Sequence, residues 1–228
     1  MPADVAVKIR LATPADVECL TEMHYASFQP EDHVPVMLGR RYVSATYQWL
    51  VTSREAYALV AEAGSTIVGV VGVCDRPFSS PMFKACMGEF VLSLARNPAL
   101  LFSGKLWQRL YRRSRPATDR GALIAGYPGV AQMTIGVVDA RFRGKSIFPA
   151  LIEATKSFSK SHGSRAIRAG IYKPNSSSRR VFVKGGWIET PDLETEDTVF
   201  YMAYLDPSLP EEWQLPRLNQ TAEARPDA

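Results

Sequence analysis

Histidine is scarce in this sequence: His24, His33 and His162 are the three present. A zinc centre built from protein ligands, or a serine hydrolase triad, therefore has few parts to draw on. The three cysteines, Cys19, Cys74 and Cys86, are odd in number and sit in apolar stretches with no C-x-x-C pair and no histidine at ligand spacing. They read as buried thiols, and no metal site is expected. No run of about 18 apolar residues occurs. The opening MPADVAVKIRLATPADVE lacks a basic stretch followed by an apolar one, so a soluble, cytoplasmic protein without membrane association is expected. Internal repeats and low-complexity tracts are also missing.

What is present suffices for a core, since 46% of the 228 residues are hydrophobic. A single domain over 1–205 is expected, carrying a helical insertion at 76–128, and followed by an extension at 206–228 whose last part is expected to be disordered. The net charge of +4 is unevenly spread. Residues 105–120 hold Lys105, Arg109, Arg112, Arg113, Arg115 and Arg120 against Asp119 alone. Without this segment the chain is near neutral, so its basic character gives no ground for nucleic-acid binding.

Along the chain, AVKIRL alternates as a strand, and Thr13-Pro14 caps a helix with Val17, Leu20, Met23 and Ala26 on one face. A second amphipathic stretch at about 36–51 carries Leu38, Tyr42, Ala45 and Trp49. YALVAEA and TIVGVVGV form a hairpin across Gly64-Ser65. After the insertion, VAQMTIGVV reads as a central strand, Gly144 to His162 as a helix stopped at Gly163, and RAIRAGI as the next strand. A helix from about Asn175 to Lys184, stopped by Gly185-Gly186, precedes two closing strands, WIET and TVFYMAYL.

The chemistry concentrates in GVVDARFRGKSIFPALIEATKSF, where a strand ends at Val138, a basic turn follows and a helix opens with unpaired backbone amides. A pyrophosphate suits those amides, the helix dipole and the charges of Arg141, Arg143 and Lys145, and Gly144 allows close approach. The segment resembles the pyrophosphate loop of the GCN5-related N-acetyltransferase (GNAT) superfamily: Arg or Gln, two residues, Gly, one residue, Gly or Ala. Arg141, Gly144 and Ser146 hold those places, Ser146 being a departure. IYKPNSSSRRVFVKGGWIE is similar to a second GNAT pattern, N-x-x-A-x-x-F-Y-x-K-x-G-F, through Asn175, Ser178, Val181, Phe182, Lys184, Gly186 and Trp187. Leu38, Gly39, Tyr42, Val43 and Tyr47 match LG-x-x-[FY]-[LV]-x-x-x-Y, which resembles a GNAT subgroup with a basic helical insertion before the cofactor-binding strand.

The resemblance implies an α/β (α+β) fold: a mixed, mostly antiparallel sheet of six or seven strands with flanking helices, strands 4 and 5 splaying apart. It implies acetyl-CoA as cosubstrate, its pantetheine arm pairing with the backbone near Ile135, Val137 and Val138. Its pyrophosphate would lie on Arg141, Arg143, Gly144, Lys145 and Ser146, with Asn175, Ser178 and Phe182 also near it. The implied reaction is N-acetylation of a primary amine on a small molecule, an amino-sugar nucleotide among the acceptors. Longer-chain N-acylation and a non-catalytic CoA-binding module remain alternatives, and the insertion offers a surface for acceptor recruitment or homodimer formation. The family's thiolate-protonating tyrosine falls on Phe182, which has no proton to donate, so Ser178, Tyr172 or a water would substitute. For the base, His24 leads over Glu31, Asp32, His33 and Glu62.

Overall fold

In the computed structural model, residues 6–30, 33–75, 79–113 and 129–206 are described. The C-terminal extension beyond Asp206, and the side chains of Arg109, Arg112, Arg113, Arg115 and Arg120, lie outside the described part. The strands are β1 (Lys8–Leu11), β2 (Ala56–Ala63), β3 (Thr66–Cys74), β4 (Val130–Val138), β5 (Ala166–Tyr172), β6 (Ile188–Glu189) and β7 (Thr198–Tyr204). They make one seven-stranded sheet in the order β1-β2-β3-β4-β5-β7-β6. Every pairing is antiparallel except that of β4 with β5.

The helices among the described residues are α1 (Val17–Ser27), α2 (Val34–Leu38), α3 (Arg40–Thr52), α4 (Ser79–Ala85), α5 (Met87–Arg96), α6 (Gly104–Arg113), α7 (Ile147–Ser161) and α8 (Ser176–Lys184). The single amphipathic stretch expected at 36–51 is in fact two helices, because Gly39 takes φ +101°, which an L side chain rarely adopts. The expected insertion supplies α4 to α6 between β3 and β4. None of the described helices is long and apolar enough to cross a membrane.

Helices cover both faces of the sheet. Leu20, Val43, Tyr47 and Leu50 of α1 and α3 pack with Cys86, Phe90 and Leu106 of the insertion over Ala58, Val60, Val70 and Val137. On the opposite face Ile147, Leu151 and Ile152 of α7 and Phe182 of α8 cover Leu59, Val71, Val73, Ile167 and Ala169. Each buried aliphatic side chain contributes about 1.5–3 kcal/mol, and these two layers fix where the strand ends point. At the sheet edge Arg10 of β1 bridges Asp16 at the start of α1 (2.8 Å) and Glu62 of β2. The Arg10 guanidinium holds the Asp16 carboxyl at about 2, below its ordinary value.

Candidate functional site

The parallel ladder between β4 and β5 is short: Val130 to Met133 pair with Ala166 to Ala169 and no further. Beyond that rung β4 runs on against β3 as far as Val138, and β5 runs on against β7 as far as Tyr172. Each strand is thus held by its outer neighbour while the inner edges separate, leaving a wedge between Thr134–Val138 and Gly170–Tyr172. The cause lies in β4. Gly72 of β3 pairs with Ile135 and the next residue, Val73, with Met133, so Thr134 is an extra, bulged residue. The bulge also resets the side-chain alternation. Met133 packs on the α7 face, whereas Ile135 and Val137 face α1 to α3. Of the residues named for pantetheine binding, Ile135, Val137 and Val138 all line this wedge through their backbone.

At the mouth of the wedge, Ala140–Phe142 form one 3-10 turn and α7 begins at Ile147. The sequence placed the helix start at Gly144. Gly144 is instead left-handed at φ +77°, and so is Ser146 at φ +56°. This αL pair turns the chain so that the amides of Gly144 to Ile147 have no backbone acceptor among the described residues, and no side chain caps α7. Of the three cations named for the loop, Arg141 is ion-paired with Asp139 (2.6 Å), Arg143 Nε donates to the Val138 carbonyl (3.3 Å), and Lys145 Nζ lies 4.9 Å from the Phe142 ring centre. Arg141, Arg143, Gly144, Lys145 and Ser146 are thereby brought together around free donors.

A cavity opens on the α1–α3 face next to the bulge, lined by His24, His33, Pro35, Thr46, Tyr47, Leu50, Met82, Thr134 and Ile135. His24 is 2% exposed, with Nδ1 3.1 Å from the Tyr47 hydroxyl and Nε2 3.2 Å from Nδ1 of His33. Burial lowers the His24 pKa to about 4 and raises that of the Tyr47 hydroxyl above its ordinary range. His24 is therefore neutral at physiological pH, with each ring nitrogen engaged. The Thr134 hydroxyl is buried with no hydrogen-bond partner among the described residues. Of the other candidate bases, Glu62 is paired with Arg10, His33 joins His24, and Glu31 and Asp32 lie outside the described residues.

On the far side of the wedge, Asn175 Oδ1 accepts from Ser178 N (3.1 Å) and caps α8. Ser178 is half-buried in the first turn, and Tyr172 is exposed at the end of β5. Phe182, named as a cofactor contact, is 0% exposed, stacked on Tyr201 with Phe148 and Trp187 edge-on to it. Sequence reasoning missed Tyr47 as the partner of His24, and Thr134. Tyr47 left one signal, its place in the helix pattern; Thr134 left none.

Neither a family model nor a curated protein matches the chain in sequence. Solved structures share its shape. The GNAT domain of S. lividans PAT is 15% identical at a TM-score of 0.55, over 87% of this chain and 90% of that one. The ribosomal-protein-S18-alanine N-acetyltransferase of Escherichia coli is 8% identical at 0.54, over 90% and 98%. The PaiA N-acetyltransferase of Thermoplasma acidophilum, in complex with coenzyme A, is 12% identical at 0.53, over 87% and 99%. The fold is that of the GNAT-domain acetyltransferases.

Proposed function

We propose that the protein is an acetyl-CoA-dependent N-acetyltransferase that acylates a primary amine of a small molecule. The observation that carries this reading is the meeting of an open strand edge, Thr134–Val138, with the uncapped N-terminus of α7. An extended pantetheine arm pairs with such an edge as another strand would. The amides of Gly144 to Ile147 and the charges of Arg143 and Lys145 then meet the pyrophosphate, to which the helix dipole adds about 0.3–1 kcal/mol. Arg141 joins them by exchanging Asp139 for phosphate.

In the reaction the amine nitrogen attacks the thioester carbon, the C–N bond forms, the C–S bond breaks, and the amine's proton leaves as the coenzyme thiolate takes one up. Holding the reactants in line and donating to the developing oxyanion supply most of the acceleration. The cavity beside Thr134 receives the amine. Because both ring nitrogens of His24 are engaged, His24 takes the proton through His33 or Tyr47 and not by direct contact. Ser178 or Tyr172 protonates the thiolate, a role closed to the buried Phe182.

Gly144→Asp tests the placement of the donor. A Cβ at Gly144 meets nothing within 4 Å, and aspartate is among the side chains most tolerant of the left-handed region. The fold should accept the change while a carboxylate enters the phosphate site. The acetyl-CoA Kd measured by calorimetry should rise about 30-fold, or ~2 kcal/mol. An unaltered Kd in a folded variant refutes the reading.

A further inference from the structure

Arg168 occupies β5 on the rung just before the ladder with β4 ends, and it is 8% exposed. Its neighbours Ile167 and Ala169 pack on the α7 face, so alternation puts Arg168 on the other face of the sheet, where the His24 cavity also lies, although neither Arg168 nor Gln132 lines that cavity. One Nη donates to Oε1 of Gln132, its register partner on β4, at 2.5 Å. It has no further hydrogen bond or ion pair among the described residues. Other arginines fare differently: Arg10 faces Asp16 and Glu62, Arg165 faces Asp206, and Arg179 faces Glu189, although all three are more exposed.

A guanidinium has five donors, and burying it is costly unless an opposite charge answers it. One neutral amide oxygen does not. Burial draws the Arg168 pKa down only to about 10, so the group stays cationic at neutral pH. The remaining guanidinium nitrogens are not among the buried, unpartnered polar atoms of the described residues, so they reach the surface, where an anion can meet them. Gln132 is two residues from Thr134 on the same strand, roughly 7 Å along it. A small molecule seated at the bulge spans that distance.

We infer that Arg168 is the anchor for an oxyanion, a carboxylate or a phosphate, carried by the amine-bearing acceptor. This rests on the acetyltransferase reading. Gln132 orients the guanidinium, and the amine end of the acceptor points past Thr134 into the wedge. An acceptor lacking the anion leaves those donors to water and forgoes a charge-assisted hydrogen bond.

The experiment uses the full chain, acetyl-CoA and thiol release, with pairs of amines that differ only in a carboxylate or only in a phosphate. The charged member of one series should be favoured at least tenfold in kcat/KM, and the series in which this occurs identifies the oxyanion. In Arg168→Met that preference should collapse through a raised KM, Arg168→Lys should restore part of it, and the Tm of Arg168→Met should hold or rise. Equal kcat/KM within every pair, or a preference that survives in Arg168→Met, overturns the inference. Should no amine be acetylated, the acetyltransferase reading fails separately. The anchor is then decided by calorimetric titration with inorganic phosphate and with acetate while coenzyme A saturates the loop. Binding that Arg168→Met lacks supports the anchor, and no binding, or equal binding in wild type and variant, overturns it.

Discussion

His24 shows how much of a site can rest on one side chain. An imidazole's intrinsic pKa makes it the natural candidate base in the sequence, and the fold gives it both a cavity and two polar neighbours. With the imidazole at about 4 in the folded chain against an ordinary 6.5, the unfolded chain binds this proton first as the pH falls. The stability it contributes is complete above pH 6.5 and is lost as the pH drops through 4, an amount on the order of 3 kcal/mol. Asp16 acts in the same direction but at lower pH, its carboxyl titrating at about 2. Thermal melts between pH 7 and 4.5 should therefore fall steeply in wild type and less in His24→Gln; parallel curves would contradict the assignment. The other decisive residues were less visible. In RAIRAGI the second arginine looks like an exposed position of an alternating strand, and only the two covered faces of the sheet show that Arg168 is buried.

At the scale of elements, strand limits were the most legible feature, because VAQMTIGVV and the hairpin either side of Gly64-Ser65 carry dense β-branched runs between turn residues. The bulge inside β4 was not legible. Thr134 lies within the mostly apolar strand VAQMTIGVV, and nothing local says that one of its residues lacks a partner. The start of α7 was misplaced for a similar reason: Ser146 is the one non-glycine residue with positive φ among those described, and a serine gives no warning of it. Gly72 exposes the dependence between neighbouring strands. A Cβ there would lie 2.7 Å from Oγ1 of Thr134 and 3.0 Å from Leu50 and Ile135 side-chain atoms, so Gly72→Ala must move the bulge or α3. A loss of about 1–3 kcal/mol is expected in urea denaturation, with a raised acceptor KM. An unchanged midpoint and KM would mean that the bulge is free to relax.

For the whole molecule, the order of strands and helices pointed to a mixed sheet covered on both faces, and the sequence patterns around Arg141 and Asn175 pointed to where it opens. Composition left the covering of each face unspecified, since both layers draw on the same aliphatic residues. The sheet consists of two antiparallel blocks, β1 to β4 and β5 to β7, joined through four rungs of parallel ladder. Because each inner strand is secured by its own block, the wedge exists before anything enters it. On the acetyltransferase reading, donor binding then adds a strand without first unzipping one, which has a kinetic signature. In stopped-flow mixing the observed rate should rise linearly with acetyl-CoA concentration, in a single phase, with no plateau set by an opening step. A rate that saturates would show a gate. Without a gate, the free chain is permanently receptive, and occupancy follows the acyl donor supply from moment to moment.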